Sequence, residues 1–363
     1  MQNLMHKGRK QRVLVAMSGG VDSSVSAALL KEQGYEVTGV SLQLYDPIPK
    51  EPGCRVKTCC SLDDVMDAGR LARTLGIPFE VIDMRTEFRQ LVIDYFIAEY
   101  AAGRTPNPCI RCNELIKFDL LLKKAREMEA ELLATGHYAR IEADGSGRHW
   151  LLTGLDPAKD QSYFLFNLTQ EQLQQVVFPV GMLEKSQVRK LAEKFELSVA
   201  QKHESQEICF IPDNDYVKFL ETHGVGQQPG EIVTGDGIVV GRHSGLHRYT
   251  VGQRKGLGIA WKHPLHVSAI DAGNNRVVVG THAELATVSL TAGRATWSVA
   301  PETAEFRASC RIRYRHKPAP CTVAMLPDNR FCVHFDVPQT AITPGQAAVI
   351  YDGERVLGGG WIE

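Results

Sequence analysis

The sequence predicts an α/β protein, built as a doubly wound parallel sheet followed by a small β-rich central domain and a C-terminal β-barrel. Three observations support this fold class. An apolar run at 13–17 passes through a glycine and serine loop into an amphipathic helix pattern at 21–33. Strand and helix patterns then alternate along the next part of the chain. Beyond Gln227, short strands punctuated by glycine and proline replace the helices.

Each predicted element has a local signal. Short runs rich in β-branched and apolar residues predict strands at 36–44, 78–83 and 131–135. Apolar residues that recur every three or four positions predict helices at 62–75, 87–102 and 185–196. The run Asp144-Gly145-Ser146-Gly147 predicts the turn of a hairpin over 138–153. The predicted domains are 1–212, 213–280 and 281–363.

The loop at 18–24, Ser-Gly-Gly-Val-Asp-Ser-Ser, has the composition of a phosphate cradle. Two glycines let backbone N–H groups face an anion, serines add hydroxyl donors, and the helix N-terminus adds partial positive charge. The alternative is a turn without a ligand. The loop is neither a Walker A motif nor the dinucleotide fingerprint. Asp22 would repel a phosphate unless a divalent cation lay between them, so the loop predicts magnesium-bound pyrophosphate.

This loop resembles the pyrophosphate loop of the ATP pyrophosphatase superfamily. The resemblance implies that ATP is split into AMP and pyrophosphate while a carbonyl oxygen is activated, with ATP and Mg²⁺ as cofactors.

The hydropathy and net charge of the whole chain bear on its location and on how it could bind a partner. None of its apolar runs approaches the roughly 18 residues of a membrane helix, and residues 1–11 lack the apolar core of a signal peptide, so we expect a cytoplasmic protein with no membrane contact. The net charge of −1 means that a nucleic acid would be held by local patches. Two acid-free basic stretches, 237–270 and 306–327, are such patches, or else solvated strand faces.

Nine cysteines, an odd number in a long chain, favour metal or thiol chemistry over a disulfide scaffold. The residues Cys54, Cys59 and Cys60 lack a neighbouring histidine, so we expect them to be structural rather than zinc ligands.

A second cysteine pair lies in the stretch 104–113, where two prolines predict a stiff loop before a helix that begins at about Glu114. Cys112 at that helix N-terminus, beside Arg111, is predicted to favour its thiolate, as a nucleophile does. Half of a zinc site or buried thiols are the alternatives. Cys209 stands between two large apolar residues, which by itself indicates an inert buried thiol.

Residues at predicted strand ends are candidates for nucleotide contact, because open α/β sheets bind ligands there. Leu42 would cover an adenine or belong to the core. Gly136 would let the backbone approach the nucleotide. His137 would face the substrate or merely form a hydrogen bond. The polar run 159–163 is predicted to be a loop.

One reaction fits all of these features, the replacement of a carbonyl oxygen by sulfur. The features are an AMP-forming loop, a pair of cysteines suited to nucleophilic attack, a third thiol and two basic patches. A pyrimidine oxygen is a poor leaving group, so ATP would first adenylate it, and AMP would depart when sulfur attacks. A persulfide on one cysteine is the simplest sulfur carrier, and a second cysteine closes a disulfide and liberates the sulfur.

A second resemblance covers essentially the whole chain. Motifs similar to those of the tRNA-specific 2-thiouridylases occur in order: SGGVDSS, GRTPNPCIRCN, ATGHYAR, KDQSYFL, ICF, RIRYRHK and TPGQAAVIYDGERVLGGGWI. The resemblance implies a pyrophosphatase domain, a central domain and a tRNA-binding barrel. It implies 2-thiolation of the wobble uridine in tRNAs for lysine, glutamate and glutamine, with a cysteine desulfurase or sulfur-relay protein as donor.

The resemblance also assigns residues. Cys112 matches the catalytic nucleophile, and Cys209 matches the persulfide-carrying cysteine, against the inert thiol that its neighbours alone indicate. The positions that match ATP contacts are Ala16, Met17, Ser18, Gly19, Gly20, Val21, Asp22, Ser23, Leu42 and Gly136. Those that match the segment beside the target base are Asn107, Pro108 and Cys109. Those that match tRNA contacts are His137, Lys159, Asp160, Gln161, Arg313, Tyr314 and Gln346.

One departure from the family pattern bears on the mechanism. Familiar members carry aspartate, a candidate general acid or base, where this chain has Cys109, so that role is in doubt here. With Cys112 and Cys209, Cys109 makes three thiols, enough for a 4Fe-4S cluster with one open iron position. We keep that cluster as the alternative sulfur route.

Two other functions are alternatives to tRNA thiolation. A pyrophosphate-loop ligase that attacks with nitrogen would need no thiol pair. A non-catalytic tRNA-binding or zinc protein would consume no ATP.

Overall fold

The computed structural model describes residues 5–6, 9–45, 62–200, 202, 208–211 and 214–363. The proline-rich loop at 46–53 and the cysteines Cys54, Cys59 and Cys60 lie outside the described residues. Within the described ranges, the chain forms two compact units. The first unit comprises residues 1–92, 109–214 and 354–356, and the second comprises 93–108, 215–353 and 357–363.

Chain order gives the elements their labels. The strands are β1 (Met5–His6), β2 (Arg9–Lys10), β3 (Arg12–Ala16), β4 (Glu36–Gln43), β5 (Phe79–Asp83), β6 (Leu132–Ala134), β7 (Ala139–Ala143), β8 (His149–Thr153), β9 (Val176–Val177), β10 (Gly230–Thr234), β11 (Val239–His243), β12 (His266–Asp271), β13 (Arg276–Gly280), β14 (Ala286–Trp297), β15 (Glu305–Arg311), β16 (Ala319–Leu326), β17 (Arg330–Thr340), β18 (Ala347–Asp352) and β19 (Arg355–Ile362).

The α-helices are α1 (Val21–Glu32), α2 (Leu62–Leu75), α3 (Arg85–Phe88), α4 (Asp94–Ala101), α5 (Pro108–Arg111), α6 (Leu121–Glu127), α7 (Gln170–Leu173), α8 (Lys185–Lys194) and α9 (Tyr216–Thr222). Among the described residues, the segments Arg89–Ile93 and Cys112–Leu120 are π-helical. Short 3₁₀ turns span Ser162–Leu165, Leu246–Arg248 and Ala283–Leu285.

The first unit is organised around a parallel sheet of five strands in the order β5-β4-β3-β6-β9. Its central strand, β3, pairs with β4 on one side and β6 on the other. Val13 and Val15 on β3 are buried in the core together with Val25 of α1 and Leu71 of α2. The strand order reverses at β3, so the loops that follow β3 and β6 leave the same edge of the sheet at a topological switch point.

The hairpin predicted over 138–153 is present as β7 and β8, which pair from Ala139 and Thr153 to Ala143 and His149. Asp144 closes the turn by accepting hydrogen bonds from the backbone and hydroxyl of Ser146.

The second unit is mostly β-structure. Its smaller sheet has the order β11-β10-β13-β12 around a core that includes Ile232, Val267 and Val277. Its larger sheet, β14-β17-β16-β15-β18-β19, closes on itself because β14 also pairs with β19. The predicted fold class, a parallel-sheet domain followed by a β-rich domain and a barrel, is therefore confirmed.

Candidate active site

The predicted phosphate loop joins β3 to α1 in the first unit. The Ser23 hydroxyl accepts a hydrogen bond from the Ser18 backbone N–H at 3.2 Å and donates one to the Gly20 carbonyl at 3.1 Å. Gly19 has a φ of +67°, and a side chain there would clash with the Asp64 carbonyl. Glycine is required at this position for both reasons. The loop is thus folded back on itself, with the exposed Ser18 at its tip.

Gly136 brings the loop after β6 against the start of α1. A Cβ atom at Gly136 would lie 2.7 Å from the Ser23 nitrogen and 2.8 Å from the Asp22 carbonyl carbon. The sequence predicted that this glycine lets the backbone approach a nucleotide. In the structure, it lets the backbone approach the phosphate loop itself.

Asp22 lies in a buried polar cluster. Its carboxylate accepts hydrogen bonds from the Tyr138 hydroxyl at 2.7 Å and from Lys185 Nζ at 2.7 and 2.8 Å. Lys185 is only 8% exposed, although it stands in the first turn of α8, where the helix dipole disfavours a cation. The Asp22 ion pair compensates for that position. Lys185 was not among the predicted site residues. The signal that could have indicated it is a lysine in the first turn of a predicted helix, where the helix dipole disfavours a cation.

Asp22 was predicted as a magnesium ligand. A magnesium ion carried on phosphates needs only one or two protein carboxylates, so Asp22 is sufficient in number. Lys185 would have to release an Asp22 oxygen for that contact to form. Among the described residues, no three His, Cys, Asp or Glu side chains are grouped to hold a metal. The 4Fe-4S alternative, which requires Cys109, Cys112 and Cys209 in one group, therefore has no support in this structure.

Lys202 was also missed. Its ammonium donates to the Gly19 carbonyl at 3.0 Å, to Asp64 at 2.7 Å and to Asp67 at 2.9 Å. Burial lowers its pKa, but the two carboxylates more than offset that effect, so the pKa of Lys202 is raised. A charged lysine thus ties the phosphate loop to the first turns of α2.

Cys112 lies at the start of a π-helical segment and is buried. The prediction that it follows a stiff loop was wrong, because a helix already begins at Pro108, a position that needs no backbone N–H. The predicted thiolate is also wrong for the isolated protein. Burial raises the pKa of the Cys112 thiol against the opposing charge of Lys117, and Arg111 is paired with Glu114 at 3.1 Å.

His137 and Cys112 both lie near Lys117, because the charge of Lys117 lowers the pKa of each group. Its ring packs against Phe118 and Phe178, each with a centroid distance of 5.9 Å, and its Nδ1 lies 2.7 Å from the Thr135 hydroxyl. Burial, with a smaller contribution from Lys117, lowers the pKa of His137 well below its usual value. The ring is therefore neutral at neutral pH.

The other two candidate cysteines differ in exposure. Cys109 is exposed and Cys209 is half-buried, and among the described residues neither is in a disulfide. Cys209 is followed by Phe210, which is 1% exposed and packs edge-on against Phe88 at 5.7 Å. The residue after Cys209 is thus fixed in the core of the first unit.

The run 159–163 is irregular up to Gln161, as predicted, and then enters a 3₁₀ turn. Asp160 is buried and accepts from the Gly154 and Ser162 backbone N–H groups at 3.0 and 3.1 Å. Gln161 accepts from the Tyr138 backbone N–H at 3.0 Å. These two predicted tRNA contacts hold the backbone beside the hairpin in this structure, while Lys159 is half-buried.

The remaining first-unit candidates occupy the positions that the strand pattern predicted. Leu42 is half-buried near the end of β4, Ala16 ends β3, and Met17 and Val21 are buried.

In the second unit, Gln346 contacts the segment that precedes Asn107 and Pro108. The Gln346 side-chain amide donates to the Thr105 carbonyl at 2.8 Å and to the Pro106 carbonyl at 3.2 Å. Arg313 is exposed and donates to the Thr340 carbonyl at 3.2 Å, and Tyr314 is half-buried.

In the basic stretch 306–327, one arginine is paired with a carboxylate and another is stacked on an aromatic ring. Arg307 pairs with Asp336 of β17, with a hydrogen bond of 2.8 Å, and Arg311 stacks on the Tyr351 ring at 4.9 Å.

Within the described residues, no helix is long and apolar enough to cross a membrane.

The fold and the loop define a nucleotide-binding α/β protein with two β-rich modules. Family models match accordingly: a tRNA methyl transferase HUP domain over residues 11–213, a tRNA methyl transferase PRC-barrel domain over 217–281 and an aminomethyltransferase β-barrel domain over 287–362. Among curated relatives, the tRNA-specific 2-thiouridylase MnmA of Geobacter metallireducens is 58% identical over 99% of this chain and 98% of its own.

A second relative of the same name, from Geotalea uraniireducens, is 56% identical over 99% of this chain and 97% of its own. The chain belongs to the tRNA-specific 2-thiouridylase family. Among solved structures, a 4-thiouridine synthetase–RNA complex with bound ATP is 16% identical over 58% of this chain and 50% of that chain. Its TM-score of 0.34 is too low to establish a common fold.

Proposed function

We propose that the protein replaces the O2 oxygen of the wobble uridine of tRNA by sulfur, using ATP. The supporting observation is a folded phosphate loop at the switch point of a parallel sheet, in a chain 58% identical end to end to a tRNA-specific 2-thiouridylase. The acceptors proposed from the resemblance are the tRNAs for lysine, glutamate and glutamine. The proposed domains are 1–212, 213–280 and 281–363.

The first step is adenylation. The uridine O2 attacks the α-phosphorus of ATP, and pyrophosphate leaves. The loop from Ser18 to Ser23 would receive the phosphates through its N–H and hydroxyl groups, with Leu42 against the adenine and Gly136 holding the loop in place. Mg²⁺ would supply positive charge between the phosphates and Asp22.

The second step is sulfur transfer. A cysteine desulfurase or sulfur-relay protein would load Cys209 as a persulfide. The Cys112 thiol loses its proton and attacks the Cys209 sulfur, which forms a disulfide and expels hydrosulfide. Hydrosulfide attacks C2 of the adenylated uridine, AMP leaves with the oxygen, and a thiol reductant then reopens the disulfide. Burial raises the pKa of Cys112, so we infer that the thiol becomes reactive once tRNA is bound.

The tRNA contacts are proposed at Asn107, Pro108 and Cys109 beside the base and at His137, Lys159, Asp160, Gln161, Arg313, Tyr314 and Gln346. Because His137 is neutral, its contact would be a hydrogen bond or stacking rather than a charge.

The test is mass spectrometry of nucleosides after unmodified tRNA is incubated with ATP, magnesium and a persulfide source. We expect 2-thiouridine together with AMP release that depends on tRNA. Cys112→Ser and Cys209→Ser should abolish thiolation while tRNA binding persists. Cys332→Ser, at a half-buried cysteine on β17, is the matched control and should retain full activity.

Three results would contradict the proposal: thiolation that survives either serine substitution, AMP release without tRNA, or methylation in place of thiolation. Iron and acid-labile sulfide analysis under anaerobic conditions separates the routes, because a cluster enzyme would lose both with Cys109→Ser.

A further inference from the structure

A long loop in the central part of the second unit, residues 250–264, is anchored at both ends. We refer to it as the Trp261 loop. Near its start, the Gly252 N–H donates to the Val267 carbonyl at 2.8 Å, and the Val267 N–H donates to the Gln253 carbonyl at 2.9 Å. Leu257 within the loop and Leu265 just after it are 8% and 7% exposed in the local core. The loop therefore has a defined position on its sheet.

Trp261 points away from that core. Its side chain is 43% exposed, while the leucines on either side of it along the chain are buried. Smaller apolar side chains of this segment are thus buried in the core, whereas the largest one, Trp261, is exposed. A large exposed aromatic group on a well-anchored loop is informative, because leaving it in water forgoes the free energy of burial.

Three cations of the Trp261 loop are without acidic partners among the described residues. Arg254, Lys255 and Lys262 are exposed and form no ion pair with any described residue. The whole stretch 237–270 contains no acidic residue. Two other arginines nearby are neutralised, since Arg248 pairs with Glu221 and Arg276 pairs with Glu231 at 2.9 Å.

His266 follows the loop directly, as the first residue of β12. Burial lowers the pKa of His266, and the charges of His282 and Arg254 lower it further. Arg254 is therefore close enough to act on the charge of His266.

We propose that the Trp261 loop is an RNA-binding surface, on which Arg254, Lys255 and Lys262 contact phosphates of the tRNA and Trp261 stacks on an unpaired base. Cations without acids match a phosphate backbone, and an exposed indole on the same loop matches the face of a base. An acidic protein would be matched by the cations but would leave the indole without a specific partner. This inference rests on the proposed function, which makes tRNA the substrate.

The experiment measures tRNA affinity as a function of salt concentration for full-length variants. Trp261→Ala should weaken binding about tenfold or more, the size of one stacked base, without changing the salt dependence. Trp261→Phe should restore most of the affinity, since a phenyl ring also stacks. Lys262→Ala and Arg254→Ala should each reduce the slope of log affinity against log salt by about 0.7 to 0.9.

Arg276→Ala is the matched control, because this arginine lies in the same region but is paired with Glu231. It should leave both the affinity and the salt slope unchanged. The thermal midpoint of the Trp261→Ala protein should equal that of the wild type, since the side chain is outside the core.

Equal tRNA affinities and slopes for the wild type and all loop variants, with thiolation intact, would overturn this inference and leave the proposed function standing. Failure of the wild type to bind tRNA would instead refute the proposed function.

Discussion

Replacing Lys202 by methionine tests whether this side chain holds the phosphate loop in its binding conformation. Methionine keeps most of the length of the side chain but removes the ammonium and its contacts with Gly19, Asp64 and Asp67. Gly19, which is in a left-handed conformation, would then lose the hydrogen bond that holds its carbonyl in place. We expect ATP affinity to fall while the overall fold is retained.

The magnitude follows from the contacts. A hydrogen bond to a charged group contributes about 1.5–3 kcal/mol when it is well shielded. The Lys202 side chain is 33% exposed and that of Asp67 is 30% exposed, so solvent screening reduces the contribution. We take about 1–2 kcal/mol for the cluster, which corresponds to a rise of roughly 5- to 30-fold in the Kd of ATP.

Isothermal titration with a non-hydrolysable ATP analogue measures this Kd. The matched control is Lys194→Met, because Lys194 on α8 pairs with Glu32 at 2.9 Å but both side chains are more than half exposed. The control should bind like the wild type. Because the pKa of Lys202 is raised, the wild-type advantage should persist from neutral to mildly alkaline pH and be lost only when the amine deprotonates. An identical Kd for Lys202→Met, Lys194→Met and the wild type would refute this reasoning.

Three further predictions concern buried groups. Cys112 should be alkylated by iodoacetamide far more slowly than the exposed Cys109, because burial raises its pKa; peptide mass spectrometry measures both rates, and equal rates would contradict the structure. Gly136→Ala should weaken ATP binding about tenfold, since the new methyl would lie 2.7 Å from the Ser23 nitrogen; titration measures this, and an unchanged Kd would disprove the crowding. Phe210→Ala should lower the free energy of unfolding by about 3–5 kcal/mol in denaturant titration, and a loss below about 1 kcal/mol would count against its buried packing.

Local signals predicted most of the first unit. The helix over 62–75 has the predicted bounds, because its apolar spacing is uninterrupted. The central strand at 12–16 and the helix after the phosphate loop lie within a residue of their predicted limits. The hairpin was predictable from its glycine-rich turn. These elements are determined by residues close together in the sequence.

The errors and omissions have two physical causes. Proline was taken to prevent a helix at 108, but the first helical position needs no backbone donor. Lys185 and Lys202 escaped notice because their carboxylate partners lie 163 and 138 residues earlier in the chain. The reactivity predicted for Cys112 considered the helix terminus and Arg111, whereas burial has the larger effect on its pKa. Tertiary packing decides the contacts of the two lysines and the pKa of Cys112, whereas the helix start at Pro108 follows from a local property of proline.

The second unit includes a segment that is synthesised long before the rest of it. Phe96 packs against Phe219 at 6.2 Å, Tyr100 stacks on Tyr216 at 5.2 Å, and the Thr105 carbonyl is held by Gln346. During synthesis, residues 93–108 therefore leave the ribosome more than a hundred residues before their native neighbours, which begin at residue 215. A fragment that starts at residue 215 would lack these aromatic partners, so the chain cannot simply be cut there to obtain two independently folding halves.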